Sequence, residues 1–149
     1  MIHRIKAFRD YLKEQTITIQ GKKLDLTVPK RAVKSSKIVF VDANKFDSMY
    51  KKEEMYVGSK GKGGNRDKYN RINLFVFGGY EDVGGGIKIP YKPFSGTFEV
   101  SEVSVSNEGR ISFTDGRHRF AWFKDSGLKK IPVAMSKESI QNAKKFNLL

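Results

Sequence analysis

Asp115-Gly116-Arg117-His118-Arg119 is the stretch of this 149-residue chain whose residue types and spacing point most directly to chemistry. A short apolar strand is expected over residues 111–113, and Gly116 permits a sharp backbone turn after it. Arg117, His118 and Arg119 then fall in the first turn of a helix predicted from about residue 117 to 125, with Gly127 as its terminator. Unpaired backbone N–H groups and the positive end of the helix dipole point outward at such a start. Cations there are unfavourable by roughly 0.3–1 kcal/mol each at exposed sites. Three together are therefore expected to face an anion, a phosphate above all. The alternative is an ordinary Asp-Gly turn with solvated basic side chains.

Other candidate motifs are weaker. The glycine-rich stretch 58–65 invites comparison with a P-loop, but Gly64 and Asn65 stand where that motif needs its lysine and hydroxyl residue. Lys60, Lys62, Arg66, Lys68 and Arg71 cluster there and read either as a mobile basic flap for nucleic acid or as a solvated loop. Gly84-Gly85-Gly86 lacks the flanking strand and helix of a dinucleotide fingerprint. Neither His3 nor His118 has metal-ligand spacing around it, so structural zinc is not expected. A hard-metal site built from carboxylates and nucleotide phosphate stays open. Aromatic residues interleave with basic ones at 69–71 and 119–123, which suits base stacking, although helical spacing favours core packing for most of them. Trp122 reads as a core or rim anchor.

Composition bounds the function classes. The absence of cysteine removes disulfides, thiolate zinc sites, cysteine nucleophiles and thiol redox chemistry. A net charge of +13 favours contact with nucleic acid or another polyanion. No stretch approaches the roughly 20 apolar residues that span a bilayer. The mixed charged and apolar N-terminus does not read as a secretory signal, so a cytoplasmic protein without membrane contact is expected.

The elements that must position the basic turn follow from periodicity. Residues 2–14 predict an amphipathic helix, and residues 16–20 and 24–28 a hairpin around Gly21-Lys22-Lys23. Pro29 and a Lys/Ser-rich stretch mark a boundary, giving an N-terminal extension over residues 1–36 and a main domain over 37–149. Next come a buried strand at 38–41, a turn at 42–44, a short helix at 46–56, and a helix capped by Asn65 running to about Phe77 with Tyr69, Ile72, Phe75 and Val76 turned inward. Residues 78–86 read as loop and 87–90 as an edge strand. A second hairpin spans 97–106 and 110–113, and a strand at 131–135 leads into a terminal helix capped by Ser136. This interspersed order predicts an α+β fold.

Asp115-Gly116-Arg117-His118-Arg119-Phe120-Ala121, followed by Ser126-Gly127-Leu128-Lys129-Lys130-Ile131-Pro132-Val133, resembles the ParB/sulfiredoxin-like superfamily. Its members carry Gly-x-(His or Arg)-Arg at a helix start, then a glycine turn and an Ile-Pro-Val type strand. The Asp-Gly-x-His-Arg version resembles the stand-alone ParB-like nuclease domains of phages and mobile elements. Residues 38–46 are similar to the family's opening strand, so the resemblance spans about residues 37–136. It implies a mixed sheet with packed helices and a nucleotide or polyphosphate pocket, with Gly116, His118 and Arg119 on the phosphates. Family members bind CTP, use ATP to phosphorylate small substrates or sulfinic acids, or are nucleases. Arg117 stands where sulfiredoxins carry their reactive cysteine and partition proteins a glutamate, so neither of those reactions carries over.

The expectation is a ParB-like domain binding nucleotide or nucleic-acid phosphates at Gly116, Arg117, His118 and Arg119, with ATP or CTP and Mg2+ as candidate cofactors. It would act on DNA as a nuclease or NTP hydrolase, with His118 as donor or general acid and the arginines stabilising phosphate charge. Asp115 would hold a metal or accept a proton, or simply cap the turn. The alternatives are an ATP-dependent kinase for a small hydroxyl substrate, and a non-catalytic phage-type module docking on host nucleic acid or a host protein.

Overall fold

A computed structural model of the chain describes residues 15–91 and 94–149, so the helix expected over 2–14 lies outside the described residues. Strands β1 (Thr16–Ile19) and β2 (Lys22–Thr27) form the first hairpin, with Ile19 opposite Lys22. The two-residue turn is Gln20-Gly21, both at positive φ (47° and 81°), which matches the twist of the strands it joins. Lys22 and Lys23, expected in the turn, are the first residues of β2 instead. Leu24 and Leu26 are buried between exposed Lys23 and Asp25, the alternation of a sheet with one covered face.

A 3-10 turn, Lys30–Ala32, leads to β3 (Ser36–Asp42), and β3 runs directly into helix α1 (Ala43–Tyr50). The helix starts three residues earlier than its apolar spacing indicates, taking in Ala43 and Asn44 of the expected turn, because the Asp42 carboxylate accepts the Lys45 amide at 2.9 Å, and it ends at Tyr50 instead of running to Tyr56. Helix α2 (Arg66–Phe77) is capped by Asn65, whose side chain accepts the Lys68 amide at 3.1 Å, and it ends at Gly78. Residues 78–86 are not all loop. Strand β4 (Tyr80–Asp82) pairs with β5 (Lys88–Pro90), the glycine run Gly84-Gly85-Gly86 forming the tip at positive φ.

Strand β6 (Thr97–Glu99) pairs in parallel with β2, and one residue later β7 (Ser101–Val105) joins the central sheet. Val100 marks the switch, its amide donating to the Thr27 carbonyl at 2.9 Å. The central sheet has the order β3-β9-β7-β8, with β8 spanning Ile111–Asp115 and β9 Lys130–Ser136. Ile131 through Met135 are all buried, as befits an inner strand covered on both faces. Helix α3 (Arg117–Asp125) follows β8, and α4 (Lys137–Lys145), capped by Ser136, closes the fold with Ala143 inside and Ile140 and Phe146 against the core. The architecture is α+β.

Buried aromatics hold the layers together. Phe46 and Tyr50 of α1 meet Phe113 of β8 and Phe120 of α3 at ring-centroid distances of 4.6–6.2 Å across the layers. Phe98 of β6 stacks on Trp122 at 5.6 Å and meets Phe123 edge-on at 5.0 Å. Such pairs add about 0.5–1.5 kcal/mol each beyond area burial. Ile19, Leu24 and Leu26 of the first hairpin belong to the same buried cluster as these rings. In α2, Val76 is buried and Tyr69 and Ile72 pack against the core, but Phe75, expected to turn inward, is 37% exposed.

Candidate functional site

Helix α3 begins where it does because Asp115 ends β8 and Gly116 adopts a left-handed conformation (φ 89°, ψ 26°). A Cβ at Gly116 would lie 2.7 Å from Ser101 Oγ and 2.8 Å from its Cα, so the turn is pressed against β7. Ser101 Oγ, fully buried, donates to the Gly116 carbonyl at 2.6 Å. The next buried run, Phe120-Ala121-Trp122-Phe123, fixes the helix to the core. The first intrahelical bond runs from the Phe120 amide to the Gly116 carbonyl, and no side chain caps the start. The amides of Arg117, His118 and Arg119 therefore lack intrahelical acceptors.

The three basic side chains do not converge. Gly116, His118 and Arg119 line a cavity of about 580 Å3 together with Asp115, while Arg117 lines a different cavity on the other side of the turn. This corrects the expectation of one three-residue clamp. Side chains two apart on a helix do not share a face.

The electrostatic mismatch is also partly met within the chain. Arg119 Nη2 lies 3.0 Å from Asp115 Oδ2 and 3.8 Å from Glu99 Oε1. Asp115 also lies 3.7 Å from Arg31 Nη2, and Arg31 Nε donates to Glu102 at 3.0 Å. Sequence reasoning missed Glu99. It was legible only as an outward position on a strand whose Phe98 and Val100 face the core.

His118 has a specific partner. Its Nε2 accepts the amide of Asn65, the residue that caps α2, at 2.8 Å. Burial, then the nearby charges of Lys68 and Arg117, hold the imidazole below its usual pKa. It is therefore neutral near pH 7, and with Nε2 as acceptor the ring proton sits on Nδ1. Gly64 makes the approach possible, since a Cβ there would come within 2.7 Å of His118 Nε2.

The segment before α2 is pinned rather than free. Besides the His118 bond, the Lys60 amide donates to Asp125 Oδ2 at 2.9 Å, the carboxylate that also accepts the Tyr69 hydroxyl. This departs from a mobile flap. Lys68 and Arg71 project from α2 into the cavity shared by His118 and Arg119, whereas Lys60, Lys62 and Arg66 do not line it. Arg71 Nε is paired with Glu81 at 3.0 Å, and Lys68 has no ion pair among the described residues.

Phe75, Tyr91 and Phe98 give the cavity an aromatic wall, and Thr27 brings the first hairpin to its edge. Phe75 sits 5.3 Å from Phe94 and 6.2 Å from Phe98. Trp122 is an inner anchor, 3% exposed, with Nε1 donating to Asn73 at 3.2 Å. Among the described residues no three His, Cys, Asp or Glu side chains cluster in a metal-binding arrangement, and no helix is long and apolar enough to cross a membrane. Asp115 and Glu99 remain as a pair of carboxylates lining the cavity. No family model matches the chain, no curated protein matches it, and no solved structure matches it.

Proposed function

We propose that the cavity at the start of α3 binds a nucleoside triphosphate, as the Asp115-Gly116-Arg117-His118-Arg119 resemblance to ParB/sulfiredoxin-like domains implies. One observation carries the reading: unpaired Lys68, Gly116, His118 and Arg119 at the uncapped start of α3, and the aromatic wall line a single cavity of about 580 Å3. That volume falls within the roughly 300–1,000 Å3 of small-ligand pockets. The helix-start amides and Lys68 take the phosphates, and Phe75 and Tyr91 offer faces for the base. The neutral imidazole of His118 contributes a hydrogen-bond donor at Nδ1.

Asp115 and Glu99 fit Mg2+, which characteristically takes one or two carboxylates and completes its shell with phosphate oxygens and water. When bound, the ion neutralises phosphate charge developing in phosphoryl transfer. Asp115 and Glu99 would hold the ion, and Arg119, which contacts both carboxylates and lines the same cavity, would face the phosphates. The reaction class is NTP hydrolysis or another phosphoryl transfer.

DNA is the second partner. Lys60, Lys62 and Arg66 are exposed and without ion pairs among the described residues, and the chain carries +13 overall. They extend the cationic surface beyond the cavity along the start of α2, where they contact the DNA backbone.

Titration of ATP, CTP and GTP with Mg2+ tests the reading. Lys68→Ala is expected to weaken nucleotide affinity roughly tenfold, the loss typical of a charged hydrogen-bond partner. Lys62→Ala with Arg66→Ala should leave nucleotide affinity intact and flatten the salt dependence of DNA binding. Wild-type protein that binds DNA and no nucleotide would sink the reading.

A further inference from the structure

Arg117 and Arg119 leave the same helical turn and meet different surroundings. Arg119 faces two carboxylates. Arg117 has no ion pair among the described residues; its Nη2 donates to the Phe113 carbonyl at 3.2 Å, and its Nε, like that of Arg119, is buried without an acceptor. It lines a cavity of about 470 Å3 between β8 and the segment that follows α1, and this cavity shares no lining residue with the first. Arg110 and Lys52 line it too, and neither is ion-paired among the described residues. Glu53 and Glu54 complete the charged lining. A half-buried guanidinium without an ion pair thus shares its cavity with two further unpaired cations and two glutamates, a lining that stays net positive.

We infer that this second cavity binds the phosphate group of a small, hydroxyl-bearing phosphate ester. The Arg117 guanidinium donors not taken by the Phe113 carbonyl match phosphate oxygens, and Arg110 and Lys52 supply the further charge that a dianion calls for and a monocarboxylate does not. Glu53 and Glu54 oppose an extended polyanion while offering acceptors to hydroxyl groups, which selects a compact ester over nucleic acid. The cavity is also larger than a bare ion needs. The site stands whether or not the first cavity binds nucleotide.

Inorganic phosphate, glycerol 3-phosphate and a short single-stranded oligonucleotide, each titrated into the full chain while the arginine Nε–Hε resonances are followed by NMR, test the assignment. Glycerol 3-phosphate is expected to shift the Arg117 resonance saturably and to bind more tightly than inorganic phosphate. Arg110→Gln should weaken that binding roughly tenfold or more, and Lys68→Ala should leave it unchanged. Arg110 is exposed, so its substitution tests the cavity without disturbing the core. The inference is overturned if the Arg117 resonance does not saturate, if Arg110→Gln has no effect, or if Lys68→Ala abolishes the shift. It is equally overturned if the oligonucleotide binds there more tightly than the ester, or if inorganic phosphate binds and the ester does not.

Discussion

His118 Nε2 accepts the backbone amide of Asn65 at 2.8 Å, so the basic turn that starts α3 also fastens the cap of α2. The imidazole thus joins the two helices that line the cavity, alongside the Trp122–Asn73 and Tyr69–Asp125 bonds. Lys68 and Arg71 project from α2 into that cavity, and the cap of their helix is bonded to a histidine fifty-three positions away.

The surroundings of this imidazole make folding pH-dependent. The imidazole is held below its usual pKa, first by burial and then by Lys68 and Arg117. Between about pH 6.5, the value of a free histidine, and the lower folded value, the unfolded chain binds a proton that the folded chain does not. Stability should therefore fall as pH drops through that window and level off below it. Urea unfolding midpoints measured across the window should show a smaller loss in His118→Gln, which keeps an acceptor but does not titrate. Equal losses in both proteins would remove His118 as the cause.

Gly116→Ala should destabilise the fold by about 1–3 kcal/mol, the usual consequence of forcing a side chain into a sparsely populated backbone region. The contacts with Ser101 add to the strain. Ser101→Ala removes only the bond to the Gly116 carbonyl and should cost about 1 kcal/mol. Equilibrium urea unfolding orders the two. A Gly116→Ala variant as stable as wild type would mean that the turn does not need its left-handed residue.

Asp47 should prove the most sensitive charged position in the core. It is 2% exposed and accepts from Tyr56 Oη at 2.9 Å and Lys124 Nζ at 2.6 Å, with Lys51 Nζ at 3.5 Å. It joins α1 to α3 and to the segment between α1 and α2. Asp47→Ala leaves a phenol and an ammonium without their acceptor and should cost about 3 kcal/mol. The Tyr56 phenol, pushed up by burial and then by its bond to Asp47, should titrate closer to a free tyrosine in the variant. Ultraviolet absorbance of the phenolate reads that shift, and an unchanged titration would show that Asp47 does not govern it.

Much of the fold was legible from local chemistry. Asn65 and Ser136 cap helices through their own side chains, and Gly127 follows the end of α3 at positive φ, because these are short-range effects that the sequence states directly. Residues 78–86 read as loop because they are rich in glycine, yet Tyr80–Asp82 form β4 and Gly84-Gly85-Gly86 only the tip of the β4–β5 ribbon. Helix α1 was placed late because its start is set by the Asp42 cap and not by its apolar spacing.

The site was legible in part. Asp115, Gly116, His118 and Arg119 meet in one cavity, and helix geometry alone separates Arg117 from Arg119, since residues two apart point in nearly opposite directions. Lys68 and Arg71 were visible as cations, yet no local rule selects them from the five on that segment.

What the amino-acid order determined was the turn itself: a left-handed glycine at the end of a strand, followed by an uncapped helix start carrying basic residues. Those are near-neighbour properties, fixed by which backbone angles and hydrogen bonds each residue allows. Only the tertiary structure decided what surrounds the turn. The carboxylates on Arg119 include Glu99, which comes from the strand that changes sheets at Val100, and the facing Lys68 comes from a helix fastened by His118. Contacts between residues so far apart in the chain depend on sheet pairing and core packing, and charge compensation at the turn follows from that packing.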